Sequence, residues 1–262
     1  MKSRIISGII IAIILIPTLY FGGLVYNLAI GILSVLAFKE LIDVKKDVTI
    51  PNAMKLVGLI CMLLLIFISK ENQSLIFGLS YETLSIVFLS LLAPTIFFKN
   101  ESYNVTSAFY LASISIFLGV IFNLFIALYN SSILQFIYCL LIACMTDIFA
   151  LFGGKLIGRH KLTKISPGKT IEGSIIGTIV ATVVGTTFYI TFIEYSSVVP
   201  IVIITLLLSI IGQIGDIFFS LIKRENGVKD YSNLIPGHGG ILDRLDSIIF
   251  ILIAFIFMIQ FL

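Results

Sequence analysis

The sequence predicts an all-α, polytopic integral membrane protein with about nine transmembrane helices, and three observations carry that expectation. Only 12% of the 262 residues are charged, against roughly a quarter in soluble domains, and the mean hydropathy is +1.15. Apolar runs recur near 5–21, 24–38, 53–69, 83–98, 106–128, 131–152, 171–193, 198–222 and 247–262, most of them near the ~20 residues that a helix needs to cross a hydrocarbon core. None shows the polar and apolar alternation of a β-barrel strand, and lipid leaves an isolated segment no other way than the helix to satisfy its backbone.

Taken in order, the first run follows Lys2 and Arg4 and resembles a signal peptide in outline. No small-residue cleavage site follows Pro17 and further runs come at once, so it is read as a membrane helix. Glu40, Asp43 and Asp47 stand among Lys39, Lys45 and Lys46 and read as a solvated charged loop, and Glu82 reads as interfacial. Cys61, Cys139 and Cys144 lie inside apolar runs with neither redox nor metal spacing, so they are expected to be small packing residues. Residues 1–140 offer little further chemistry and form an N-terminal set of about five spans. Residues 141–262 form the C-terminal catalytic region, with polar loops at 153–170 and 223–246.

Nine crossings would place the N-terminus and the segments 39–55, 99–105, 153–170 and 223–246 on one side. Those segments hold every one of the 17 Lys and Arg residues except Lys70. Retention of positive charge in the cytoplasm then predicts a protein of the cell (inner or plasma) membrane with its polar loops on the cytoplasmic side. The loops of the other face are short. A net charge of +3 gathered at a bilayer surface suits anionic lipid headgroups and phosphates, and nucleic acid is not an expected partner. No internal repeat is visible, which argues against a transporter built from inverted repeats.

The chemistry concentrates in 216–246, whose 31 residues include Asp216, Lys223, Arg224, Glu225, Lys229, Asp230, His238, Arg244, and the pair Asp243 and Asp246. A charged group in or beside a membrane span is costly and is usually paired, hydrated or bound to an ion. Asp243 and Asp246 are three apart and share a helical face. With Asp216 from the preceding span they make a three-carboxylate set of the hard oxygen type that Mg²⁺ takes, and Asp147, near the end of the sixth run, is a further candidate. The plainer reading of Asp243 is the usual preference for acids in a first helical turn. Pro236, Gly237, His238, Gly239 and Gly240 interrupt any helix, and glycines let backbone N–H groups approach phosphate. Gly168, Lys169 and Thr170 resemble the end of a Walker loop, but its first glycine would fall on Thr163 and no strand precedes it. What remains is a basic, hydroxyl-bearing loop before Glu172. Ser166 with Pro167 reads equally well as a helix N-cap followed by Pro.

Two segments are similar to a known family. Ser220–Asp246, S-L-I-K-R-E-N-G-V-K-D-Y-S-N-L-I-P-G-H-G-G-I-L-D-R-L-D, resembles the signature of phosphatidate cytidylyltransferases, also called CDP-diacylglycerol synthases, at every fixed position. S-P-G-K-T-I-E-G at 166–173 resembles that family's S-P-x-K-T-x-E-G, and Asp147 with Gly153, Gly154 and Gly158 resembles the segment before it, with Leu151 where an aromatic is common. The resemblance implies condensation of CTP with phosphatidic acid to CDP-diacylglycerol and pyrophosphate, dependent on Mg²⁺ or Mn²⁺, with a second, monovalent cation left open. It implies Asp147, Asp216, Asp243 and Asp246 for the metal. Lys223, Arg224, Lys229, Asp230, His238 and Arg244 would be catalytic, and Ser166, Lys169, Thr170, Glu172, Gly239 and Gly240 would bind the nucleotide. The lipid bilayer is the expected partner, and a homodimer is left open. The nearest rival is a CTP-using lipid or polyprenol kinase. A CDP-alcohol phosphotransferase is disfavoured, because no D-G-x-x-A-R segment occurs.

Overall fold

Stripes of apolar residues four apart lie on the outside of the helices: Leu24, Leu28 and Ile32; Leu56, Ile60 and Leu64; Ile171, Ile175, Ile179 and Val183 are all exposed. In water such stripes would have to be covered. In hydrocarbon they face their own kind, so the pattern is that of helices solvated by lipid. The computed structural model describes residues 13, 15–68, 80–98, 103–237 and 239–261, and among them the fold is all helical, with isolated bridges in place of strands.

After a helical stretch at 15–21 come α1 (Gly23–Val44), α2 (Asn52–Phe67), α3 (Tyr81–Leu92) with a 3₁₀ turn through Ile96, and α4 (Val105–Ser131). They are followed by α5 (Ile133–Ile157), α6 (Ile171–Phe192), α7 (Val198–Glu225) and α8 (Leu242–Met258). Five described helices, α1, α4, α5, α6 and α7, are long and apolar enough to cross a membrane. The multi-pass class therefore holds, and the described helices do not confirm the count of about nine crossings. α2 has 16 residues and α8 has 17, which reach only about 24–26 Å at 1.5 Å per residue, short of the ~30 Å core. Most of the first apolar run lies outside the described residues. Helix ends also move two sequence boundaries. α5 continues through Gly153 and Gly154, so its loop starts at Gly158, and α7 continues through Lys223 and Arg224.

The chain divides into two compact units, residues 1–127 with 230–242, and residues 128–229 with 243–262. In the first, Leu65 and Met62 of α2 meet Gly119 of α4, where any side chain would collide with them. Polar side chains there are spent on backbone carbonyls: the Asn123 amide donates to Leu65 O (3.3 Å) and Ile66 O (3.0 Å) at the end of α2, and the Tyr26 hydroxyl donates to Phe125 O (3.1 Å). That is how a segment shielded from water keeps its helix ends satisfied. Glu40 departs from the solvated loop expected for it. It sits in α1 and is buried, while Asp43 and Asp47 are exposed as expected.

In the second unit α5 and α6 approach backbone to backbone. A Cβ at Gly177 would lie 2.6 Å from Thr146 O, and one at Gly173 would overlap Ala150 O. Small residues permit this contact, the usual adhesive between helices in lipid. Gly173→Ala is expected to lower stability in detergent by about 1–3 kcal/mol through overpacking against rigid backbone. Gly168→Ala, at an open position, should stay within about 0.5 kcal/mol. Comparing the two melting curves checks the contact.

Candidate active site

The loop between α5 and α6 is folded back on itself. Leu162 N donates to Lys169 O (2.9 Å) and Ile171 N donates to His160 O (2.9 Å), closing a short hairpin. Lys169 N donates to Ser166 O (3.1 Å), so Ser166-Pro167-Gly168-Lys169 is a tight turn with Pro at its second position. The helix does not begin there. Thr170 is the N-cap of α6, its hydroxyl accepting from Gly173 N at 3.1 Å. Ser166 as N-cap is thereby corrected, because the turn consumes the residues that would have formed the first helical turn. Glu172 reaches back over the loop and accepts from Arg159 N (3.1 Å), His160 N (3.2 Å) and His160 Nδ1 (2.6 Å).

This bracing delivers one side chain. Lys169 leaves the turn and forms an ion pair with Asp216 of α7, both groups partly shielded. A second pair lies deeper. Lys223 Nζ is 2.5 Å from Asp243 Oδ1, with side chains only 9% and 3% exposed. At that burial the pair holds its geometry, and neither partner can be lost without stranding the other. Asp147, Asp216 and Asp246 lie within electrostatic range of one another, with Lys169 and Arg244 acting on Asp147, and Lys223 on Asp246. Among the described residues neither Asp147 nor Asp246 forms a salt bridge.

Four carboxylates and three basic side chains from α5, the 158–170 loop, α7 and α8 are thus gathered in one cluster. The remaining predicted residues sit differently. The Arg224 guanidinium donates to Val228 O (3.0 Å) in its own turn, and Lys229 and Asp230 are exposed. Thr170 and Glu172 spend their side chains on the loop itself. His238 lies outside the described residues. Gly239 has φ 87, and Ile235 and Gly239 exchange two backbone hydrogen bonds (2.9 and 3.1 Å). Gly240 is buried against Glu40.

The sequence reading missed a polar track leading to Asp216. Thr146 Oγ1 and Ser209 Oγ are 2.8 Å apart, Gln213 Nε2 donates to Thr178 Oγ1 at 2.8 Å, and the Ser174 hydroxyl donates to Gln213 Oε1. Gln213 stands three residues before Asp216, on the same face of α7. A glutamine deep in an apolar run was the available signal.

Comparison with known proteins adds the rest. The model of the cytidylyltransferase family matches residues 2–262. The chain belongs to that family. It is 36% identical over 256 residues to the phosphatidate cytidylyltransferase of Staphylococcus aureus (strain COL), with 96% of each chain covered. It is 33% identical to that of Staphylococcus haemolyticus and 35% to that of Staphylococcus saprophyticus, again over 96% of both chains. The similarity includes the N-terminal unit, where the motif resemblance had been confined to about 146–246. This family member is a multi-pass membrane protein, all helical among its described residues, and its acidic and basic cluster draws on the segments that carried the resemblance.

Proposed function

We propose that the protein transfers the cytidylyl group of CTP to phosphatidic acid, forming CDP-diacylglycerol and pyrophosphate in phospholipid biosynthesis. The observation that carries the reading is the meeting of Lys169, Lys223 and Arg244 with four carboxylates drawn from separate segments of the chain. Two polyanions have to be brought together and a third must leave, so a site needs both cations and a way to hold more. A phosphate oxygen of phosphatidic acid forms the new bond to the α-phosphorus of CTP, and the bond from that phosphorus to the bridging oxygen breaks, leaving as pyrophosphate. The nucleophile is already ionised at neutral pH. No strong general base is required.

Lys169, Lys223 and Arg244 are the groups we assign to phosphate oxygens, preorganised donors of the kind that stabilise charge as it moves to a leaving group. Lys223 is held in place by Asp243 before substrate arrives. The donor set also fits a hard divalent cation, since every acidic member offers oxygen and no thiolate intrudes. Among the described residues no group of three or more His, Cys, Asp or Glu is arranged to hold a metal alone. An ion of this kind is commonly held by one or two carboxylates and completed by substrate oxygens, and Asp147, Asp246 and Asp216 are our candidates, with Asp243 kept by Lys223. When bound, Mg²⁺ or Mn²⁺ supplies charge neutralisation and alignment of phosphate oxygens. The distribution of basic residues supports placing this cluster on the cytoplasmic side, with the shorter apolar helices completing the crossings.

The test is turnover by purified protein in detergent with phosphatidic acid, Mg²⁺ and CTP labelled separately on cytidine and on the γ-phosphate. Cytidine label in the lipid with release of pyrophosphate is expected. Label from the γ-phosphate alone in the lipid would make the protein a kinase and overturn the proposal.

A further inference from the structure

Glu40 lies near the end of α1, 180 residues before the signature segment begins at Ser220, and is only 5% exposed. Its carboxylate accepts three hydrogen bonds. Ser232 Oγ donates to Oε1 at 2.7 Å, Ile241 N to Oε1 at 2.8 Å, and Leu242 N to Oε2 at 2.9 Å. Two of the three donors are the amides at the start of α8, where a helix presents unsatisfied N–H groups and favours negative charge. The third, Ser232, holds the middle of the same loop. A buried carboxylate is costly unless its oxygens are met in this way.

The glycines of the loop divide the work. Gly237 and Gly239 take positive φ, 78 and 87, which L side chains rarely adopt. Gly240 does not, and it is glycine for another reason: a Cβ there would fall inside the Glu40 carboxylate. Its missing side chain is therefore explained by Glu40, where the sequence suggested backbone approach to a phosphate.

We infer that Glu40 is a positioning residue for the reaction: by clamping residues 232, 241 and 242 it fixes where α8 begins, and so the phase of Asp243, Arg244 and Asp246 on that helix. An α-helix turns 100° per residue. A start displaced by one residue would rotate those three side chains by that amount. The inference rests on the proposed roles of Asp243 and Asp246, and explains why an N-terminal helix with no other charged buried group in its described residues holds a carboxylate at all.

The test uses the full chain in detergent with phosphatidic acid, CTP and a Mg²⁺ titration. Glu40→Gln keeps the shape but replaces one acceptor oxygen with an N–H donor, and Asp43→Asn, on the same helix but exposed, is the control. Glu40→Gln is expected to lower kcat by about 10- to 100-fold, the scale of a small misplacement of catalytic groups. It should also raise the Mg²⁺ needed for half-maximal rate while leaving KM for phosphatidic acid within about twofold, since uniform substrate binding is not what is lost. Asp43→Asn should match the parent. A folded Glu40→Gln protein with parental kcat and Mg²⁺ dependence would overturn the inference. Should Glu40→Gln not fold, Ser232→Ala removes one donor of the clamp and must shift kcat and Mg²⁺ dependence in the same direction, by several-fold, or the inference fails. Asp243→Asn and Asp246→Asn are run alongside. If both keep parental turnover, the reading of the cluster is wrong whatever Glu40 does; if they lose it while Glu40→Gln does not, only the clamp is wrong.

Discussion

Asp246→Asn is expected to cost turnover about 10²- to 10³-fold, the scale seen when one preorganised electrostatic contact to a reacting phosphate or oxyanion is removed, while leaving the protein at least as stable as its parent. The opposite signs follow from the surroundings. Asp246 is 8% exposed, forms no salt bridge among the described residues, and stands in the field of Asp147 and Asp216. A structural residue in such a place would be a liability, since like charges in a shielded setting repel by about 1 kcal/mol or more. Neutralising it removes that repulsion and leaves the near-isosteric amide to keep the 2.9 Å bond from Ser247 N. Melting in detergent and turnover across a Mg²⁺ series check both halves. A drop in melting temperature with turnover intact would make Asp246 a structural residue.

Lys223→Met should act in the contrary manner, damaging fold and activity together. The Lys223–Asp243 pair is among the least exposed of the charged groups described, and removing one member of a buried pair costs about 3–5 kcal/mol, because the survivor is left charged and unmatched. The double variant Lys223→Met with Asp243→Asn removes both charges, and should recover most of the lost stability without recovering turnover. Additive losses in the double variant would mean that the two groups do not depend on each other. Recovery of turnover along with stability would show that neither side chain touches substrate.

The segment S-P-G-K-T-I-E-G illustrates how much a motif conceals. Beside the ligand-binding expectation, these residues have local contacts: the turn uses the Ser166 carbonyl, the helix uses Thr170 Oγ1, the loop uses Glu172, and the α5–α6 contact uses Gly173. Only Lys169 emerges from the segment toward the acidic cluster. A pattern of residue types does not show which of its members also make such local contacts. The resemblance carried by Ser220–Asp246 implied a catalytic Lys223. The structure adds that it is held by Asp243, a contact across 20 residues that no spacing rule foretells.

From the residues alone the membrane-protein class was legible, as was the concentration of charge in a few segments. Hydrophobic transfer is nearly additive along a chain, so apolar runs declare membrane helices without reference to what they pack against. Charges are so costly near those runs that Asp147, Asp216, Asp243 and Asp246 stood out as soon as they were read. What the sequence could not determine was partnership, because that depends on which side chains arrive within a few ångströms after folding. Glu40 looked like one more carboxylate beside lysines, and only the return of residues 232–242 to α1 made it the buried acceptor of three hydrogen bonds. Gln213 looked like a lone amide in an apolar helix until α6 brought Ser174 and Thr178 to it. Burial and pairing are properties of the assembled chain, and they decided which of the legible residues are buried against a partner and which are exposed.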